Sequence, residues 1–261
     1  MTGAILIPCH PPKLRHLSNF LRSANGTIPI IVAATNDHER SQLLPATREF
    51  TGVDVISCEA IAKETGQPFD PHSKGIINAK KFLGLFHAMD QGFEHVMCVD
   101  SETEIVTTTN EAMEAAEKAY GRLLGVSTPN HAYNSLMAAS GLLTGSQTAF
   151  PYFWFYDPPT YRRDHLQAFK AAFPAFLSNL TWETFDHLVY GLYGLSQGWF
   201  EITDHKPITD RIPEALTASD LTHIEAEFGH APIWMTKKEW EAADPKPAVH
   251  MTYHADRRSW K

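Results

Sequence analysis

Three carboxylates crowd one short stretch of this chain, Asp100-Ser101-Glu102-Thr103-Glu104, directly after the apolar run Val96-Met97-Cys98-Val99. The run reads as a buried strand that ends in acids. Ligands of open α/β sheets collect at the carboxyl ends of the strands. Carboxylates placed there suit a hard divalent cation, and the cation can hold phosphates. Side chains of extended chain alternate with period two, so Asp100 and Glu102 are expected to face one ion together, with Glu104 joining them if the chain stays extended. The competing reading is a strand that simply leaves the core through a solvated acidic loop.

The elements that must position these acids alternate between strand and helix. Residues 4–7 form an apolar strand ended by Pro8, and the loop Cys9-His10-Pro11-Pro12 follows. Residues 13–23 read as a helix with Leu14, Leu17, Phe20 and Leu21 on one face. Residues 28–33 are a second strand, 36–39 a polar turn, and 53–56 a third strand. A loop with Pro71 and Gly75 leads into a helix over 76–89, which feeds the acidic strand. Thr107-Thr108-Thr109-Asn110 can cap a helix over 111–120, and 123–126 is a further strand. Continuous apolar strands alternating with helices predict a mostly parallel, Rossmann-like central sheet flanked by helices.

Beyond residue 130 the texture changes. Aromatics and prolines crowd residues 150–161, where Trp154 and Tyr156 are the rings best suited to stack on a sugar; core packing is the plainer reading for most of the run. Helices are expected over 166–177, 182–195, 220–228 and 237–243, and a strand over 200–203. No repeat or low-complexity linker interrupts the chain. It reads as a single domain, 1–261, in which 1–130 binds a nucleotide-like ligand and 131–261 shapes a second pocket and a tail.

Composition narrows the function classes. The formal charge of −8 and pI near 5.9 give no broad basic field for nucleic acid. Cys9, Cys58 and Cys98 are scattered and odd in number, which speaks for reduced core thiols rather than a disulfide framework or a CxxC site. No signal peptide is expected, and no apolar run reaches the ~18 residues of a bilayer span. The expected location is therefore cytoplasmic, with peripheral membrane contact left open.

The ordered set Ile5-Leu6-Ile7-Pro8, then Asn78-Ala79-Lys80-Lys81-Phe82-Leu83-Gly84-Leu85, then Val96 through Glu104 resembles the GT-A glycosyltransferases. The resemblance covers roughly the first 130 residues and part of the helix near Asp186; the second acid, Glu102, departs from that family's Asp-X-Asp pattern. It implies a nucleotide-sugar donor, a glycan or other hydroxyl acceptor, and Mn²⁺ or Mg²⁺ on Asp100 and Glu102. On the same footing it implies donor contacts from Pro8, His10, Asp37, Asn78, Lys80, Lys81, Asp100 and Ser101. It makes Asp186 the base of an inverting transfer, with Glu183 second, one turn earlier on the same helix. The tail histidines His250 and His254 become candidate metal ligands. Plain structural alternatives stand beside these: solvated helix faces for the lysines, turn chemistry for His10 and Asp37, helix-surface acids for Glu183 and Asp186 with Glu183 as a first-turn dipole partner, and a loose tail for the histidines. Two other functions compete. A nucleotidyltransferase acting on sugar phosphates also sets acids at a strand end, but its usual glycine-rich first loop is not matched by Pro8-Cys9-His10-Pro11-Pro12-Lys13. A sugar- or protein-binding module on a degenerate transferase fold would not need Asp100.

Overall fold

The computed structural model describes residues 2–101, 103–105, 107–126, 131–155, 159–204 and 252–254. The expected helices over 220–228 and 237–243 lie outside them. The front of the chain runs β1 (Gly3–Pro8), α1 (Leu14–Ser23), β2 (Ile30–Ala34), α2 (Asp37–Thr47), β3 (Val53–Ser57), α3 (Cys58–Thr65), α4 (Ile76–Asp90) and β4 (His95–Cys98). Then come β5 (Thr103–Ile105), α5 (Thr109–Ala119), β6 (Arg122–Val126), α6 (His131–Thr144), β7 (Tyr152–Phe155), β8 (Thr160–Arg162), α7 (Arg163–Ala172), α8 (Asp186–Ser196), β9 (Glu201–Asp204) and β10 (Thr252–His254).

The central sheet has the order β3-β2-β1-β4-β8. The first four strands are parallel and β8 joins β4 antiparallel, Val96 opposite Tyr161. Period-two alternation divides the strands between two cores. Ala4, Leu6, Ile31 and Ala33 pack with Phe82 and Leu85 of α4, Phe169 of α7 and Leu188 of α8. Ile5, Ile7, Val32 and Met97 pack with Leu17 and Phe20 of α1, Leu43 of α2 and Met113 of α5. The sheet is thus covered by helices on both faces, as its uninterrupted apolar strands require. Helix α4 lies very close to β1: a Cβ on Gly84 would come 2.5 Å from Leu6 Cδ1.

Several elements differ from the sequence expectation, each for a local reason. The polar turn after β2 is the start of α2, because the Asn36 side chain accepts from the Glu39 amide at 3.0 Å and caps the helix. Helix α3 was not expected; Ser57 caps its start and Gly66, at φ 66°, ends it in the left-handed conformation. The helix expected from residue 182 begins at Asp186, because Thr181 and Thr184 close a turn ahead of it: the Thr181 amide donates to Thr184 Oγ1 at 2.7 Å, and that hydroxyl donates back to the Thr181 carbonyl at 3.0 Å. The strand after α5 does not extend the main sheet. As β6 it pairs with β7 and β9 in a separate three-stranded sheet. The aromatic run supplies two strands, β7 and β8, with Tyr152, Phe153 and Tyr161 buried.

Candidate functional site

Strand order reverses between β1 and β4, because β2 and β3 lie on one side of β1 and β4 on the other. The crevice outside the carboxyl ends at such a reversal is where open α/β sheets place ligands. Helix α4 runs antiparallel to the strands, so its first two turns stand at this edge. They carry Asn78, Lys80 and Lys81.

Lys81 is the centre of the arrangement. Its Nζ lies 3.4 Å from Asp100 Oδ1, just past β4, and 3.1 Å from Asp186 Oδ1, at the first residue of α8. The three residues are far apart in sequence and graded in exposure: the Asp186 side chain is 0% exposed, that of Lys81 12% and that of Asp100 43%. The Tyr161 hydroxyl of β8 donates to Asp186 Oδ2. His187 Nδ1 stands 3.9 Å from Asp186 Oδ1, and the Tyr152 hydroxyl lies 3.4 Å from His187 Nε2. Burial alone would raise the pKa of Asp186, but the Lys81 ammonium, with His187 and Tyr161, holds it well below the usual carboxylate range. The N-terminal end of α8 favours the same negative charge. Burial would lower the Lys81 pKa; Asp100 and then Asp186 raise it well above its ordinary value instead. The pair is therefore a fixed ammonium–carboxylate couple, and Asp100 is the member that reaches the outside.

Lys80, its neighbour, serves a different place. It is fully buried, its Nζ donates to the Cys9 carbonyl just past β1, and Glu39 Oε2 lies 3.6 Å away. The same Glu39 oxygen accepts from the Thr35 amide just past β2 at 2.8 Å. Burial lowers the Lys80 pKa and Glu39 partly opposes that. Lys80 thus ties together the chain ends leaving β1 and β2, with its ammonium turned into the fold rather than toward a phosphate outside the sheet. Asn78, 1% exposed, donates to the Thr181 carbonyl at 3.0 Å and fastens α4 to the turn ahead of α8.

The remaining sequence candidates are placed as follows. Pro8 ends β1 and is buried; His10 is half-buried in the loop after it. Asp37 is exposed in the first turn of α2, at the end of β2. Ser101 is buried beside Asp100. Glu183 is exposed in the turn before α8, so it does not share a helical face with Asp186 as expected. Glu102 and His250 lie outside the described residues. The Thr103 amide donates to the Asp100 carbonyl at 3.0 Å. Strand β10 pairs antiparallel with β5, placing the backbone of His254 opposite Thr103. The tail therefore returns to the acidic stretch. Among the described residues no three His, Cys, Asp or Glu groups come together as a cation site. Asp100 supplies one hard oxygen donor of the kind Mn²⁺ or Mg²⁺ prefers.

No family model and no curated protein matches the chain. Among solved structures it is similar to the apo structure of the bifunctional glycosyltransferase WbbM, with 13% sequence identity and a TM-score of 0.46 over 97% of this chain and 45% of that one. This chain thus spans less than half the length of that structure.

Sequence reasoning did not single out Glu39, Tyr161, His187 or Tyr152. An Asn-X-X-Glu spacing at Asn36 and Glu39 signals a helix start and could have drawn attention to Glu39. Tyr161 reaches Asp186 only because β8 lies against β4, and no local pattern announces that pairing.

Proposed function

We propose that the protein is a glycosyltransferase that moves a sugar from a nucleoside-diphosphate donor to a hydroxyl acceptor at the carboxyl edge of β1 and β4. The observation that supports this reading is the convergence of Asp100, Lys81 and Asp186 at the strand-order reversal. In such a transfer the acceptor oxygen bonds to the anomeric carbon, the bond from that carbon to the diphosphate breaks, and the acceptor proton passes to a base. The departing diphosphate concentrates negative charge, and charge fixed in advance at that position is the strongest aid a site can offer. Mn²⁺ or Mg²⁺ held by Asp100, with Glu102 and the tail histidines as further ligands, would neutralise that group.

The residues of the chain divide the remaining work. Lys81 holds Asp100 in place. Asp186, itself held by the Tyr161 hydroxyl, holds Lys81. The family resemblance implies that Asp186 is the base of an inverting transfer; its complete burial and its 3.1 Å pair with Lys81 favour a holding role, and the anomeric configuration of the product decides between inversion and retention. Pro8, His10 and Asp37, at the ends of β1 and β2, are the proposed wall for base and ribose.

The test is a thermal-shift series with UDP-, GDP-, dTDP- and CMP-sugars, each with and without Mn²⁺. A ligand bound only by the native state raises the melting temperature by mass action. A metal-dependent rise with one nucleotide family is expected. No rise with any of them overturns the reading, and a response confined to nucleoside triphosphates replaces it with nucleotidyl transfer.

A further inference from the structure

A cavity of about 600 Å³ lies between α6 and the loop that follows it, and none of its lining residues belongs to the Lys81 cluster. Its floor is Leu192 of α8 and one wall is Phe150. Asn134, Ser146, Gln147 and Thr148 supply amide and hydroxyl groups around it. The loop can lie this close because Gly141 has no side chain: a Cβ there would stand 2.9 Å from the Ser146 carbonyl oxygen. Gly145, at φ 67°, makes the reversal that starts the loop.

Two features define what the cavity accepts. Its size is that of a ligand site. Among the described residues, none of the twelve that line it is ionisable, in a chain where one residue in five is Asp, Glu, Lys or Arg. A nucleotide, phosphate or charged peptide would find no counter-charge among these described residues and would lose hydration against them without return. Amides and hydroxyls both donate and accept, while Phe150 and Leu192 offer apolar surface. That mixture suits a neutral ligand that is polyhydroxylated on its edges and apolar on its faces.

The cavity is also coupled to the candidate site. Leu192 follows Asp186 by six residues on α8, about 9 Å along the helix axis. Pro151, in the lining, adjoins Tyr152, whose hydroxyl meets His187. We infer that this cavity is a subsite for an uncharged carbohydrate, the part of the acceptor that lies behind its reacting hydroxyl. The acceptor role rests on the glycosyl-transfer reading; the neutral-sugar site stands on the cavity itself.

The test uses the full chain, its Asn134→Ala and Gln147→Ala variants, and ligand-observed NMR with lactose, maltose and cellobiose at millimolar concentration. Both side chains are exposed helix or loop groups, so the variants keep the fold, which a melting curve verifies. At least one disaccharide is expected to give saturation transfer with the native chain. Affinity should fall about fivefold for each lost hydrogen bond, with the response to nucleotide sugars unchanged. No transfer from any disaccharide to the native chain, or undiminished binding by both variants, overturns the inference. Disaccharide binding that both variants weaken, in a chain that no nucleotide sugar stabilises, upholds the neutral-sugar site while removing the transferase reading.

Discussion

Replacing Lys81 by Met removes the ammonium from between Asp100 and Asp186 while keeping most of the side-chain volume. Asp186 has no exposed surface, so its carboxylate is left charged in the interior with Tyr161 as its remaining close donor and His187 at 3.9 Å. Breaking a buried pair in this way costs about 3–5 kcal/mol, and for a chain of this length that lowers the melting temperature on the order of 10 °C. Asp186→Asn is the milder change, because Lys81 keeps Asp100 at 3.4 Å; about 1–3 kcal/mol is expected. The double variant Lys81→Met/Asp186→Asn should cost less than the two single changes together by at least ~1 kcal/mol. Urea unfolding followed by far-UV circular dichroism measures all three. Coupling below about 0.5 kcal/mol would show that the two groups act independently and would refute the picture of a fixed couple. Acid and base limbs give a second check. Asp186 titrates in the folded chain below its unfolded value of about 3.9, so its stabilisation is complete above pH ~4 and is lost as pH falls through the lower folded value. Lys81 titrates above its unfolded value of about 10.4, so its share is complete below that pH and is lost as pH rises through the higher folded value. Lys81→Met should remove the alkaline loss and weaken the acid one.

Three further outcomes are expected. Asp100→Asn touches a side chain that is 43% exposed and should change stability by about 0–1 kcal/mol, yet abolish the metal-dependent thermal shift with nucleotide sugars. Tyr161→Phe removes a hydrogen bond to a buried carboxylate and should cost about 1.5–3 kcal/mol, measured by the urea midpoint. Gly84→Ala forces a methyl against Leu6; a loss of about 1–3 kcal/mol is expected, and an unchanged melting temperature would mean that α4 is free to move off β1.

Much of the front half was legible because its signals are local. The apolar runs at β1, β2 and β3 and the helices α1 and α4 carry their own periodicity, and the cap expected within Thr107–Asn110 is supplied by Thr108, which the structure completes as a capping box with Glu111. What failed had competing local signals. Helix α2 contains Pro45 and buries only Leu43 and Thr47, so no apolar stripe marks it. The start of α8 lies later than its sequence suggests because Trp182 and Glu183 look helical, while the Thr181–Thr184 hydrogen bonds set a turn there. Residue types at the candidate site were also legible: Asp100, Lys81 and Asp186 were each singled out. Their convergence was not, because it depends on α4, β4 and α8 meeting in space. Nor did the sequence separate the two lysines, since which one enters the fold depends on how α4 is rotated against the sheet.

That rotation has a consequence for the whole edge. Successive residues of a helix point about 100° apart, so one cylinder sends Lys80 to the chain ends leaving β1 and β2 and Lys81 to the end of β4. A rotation of α4 would carry both stems together, and Leu6 pressed against Gly84 sets the angle for both. The two banks of the crevice are therefore geared through a single helix, and a one-residue insertion between Lys81 and Gly84 would unseat both at once.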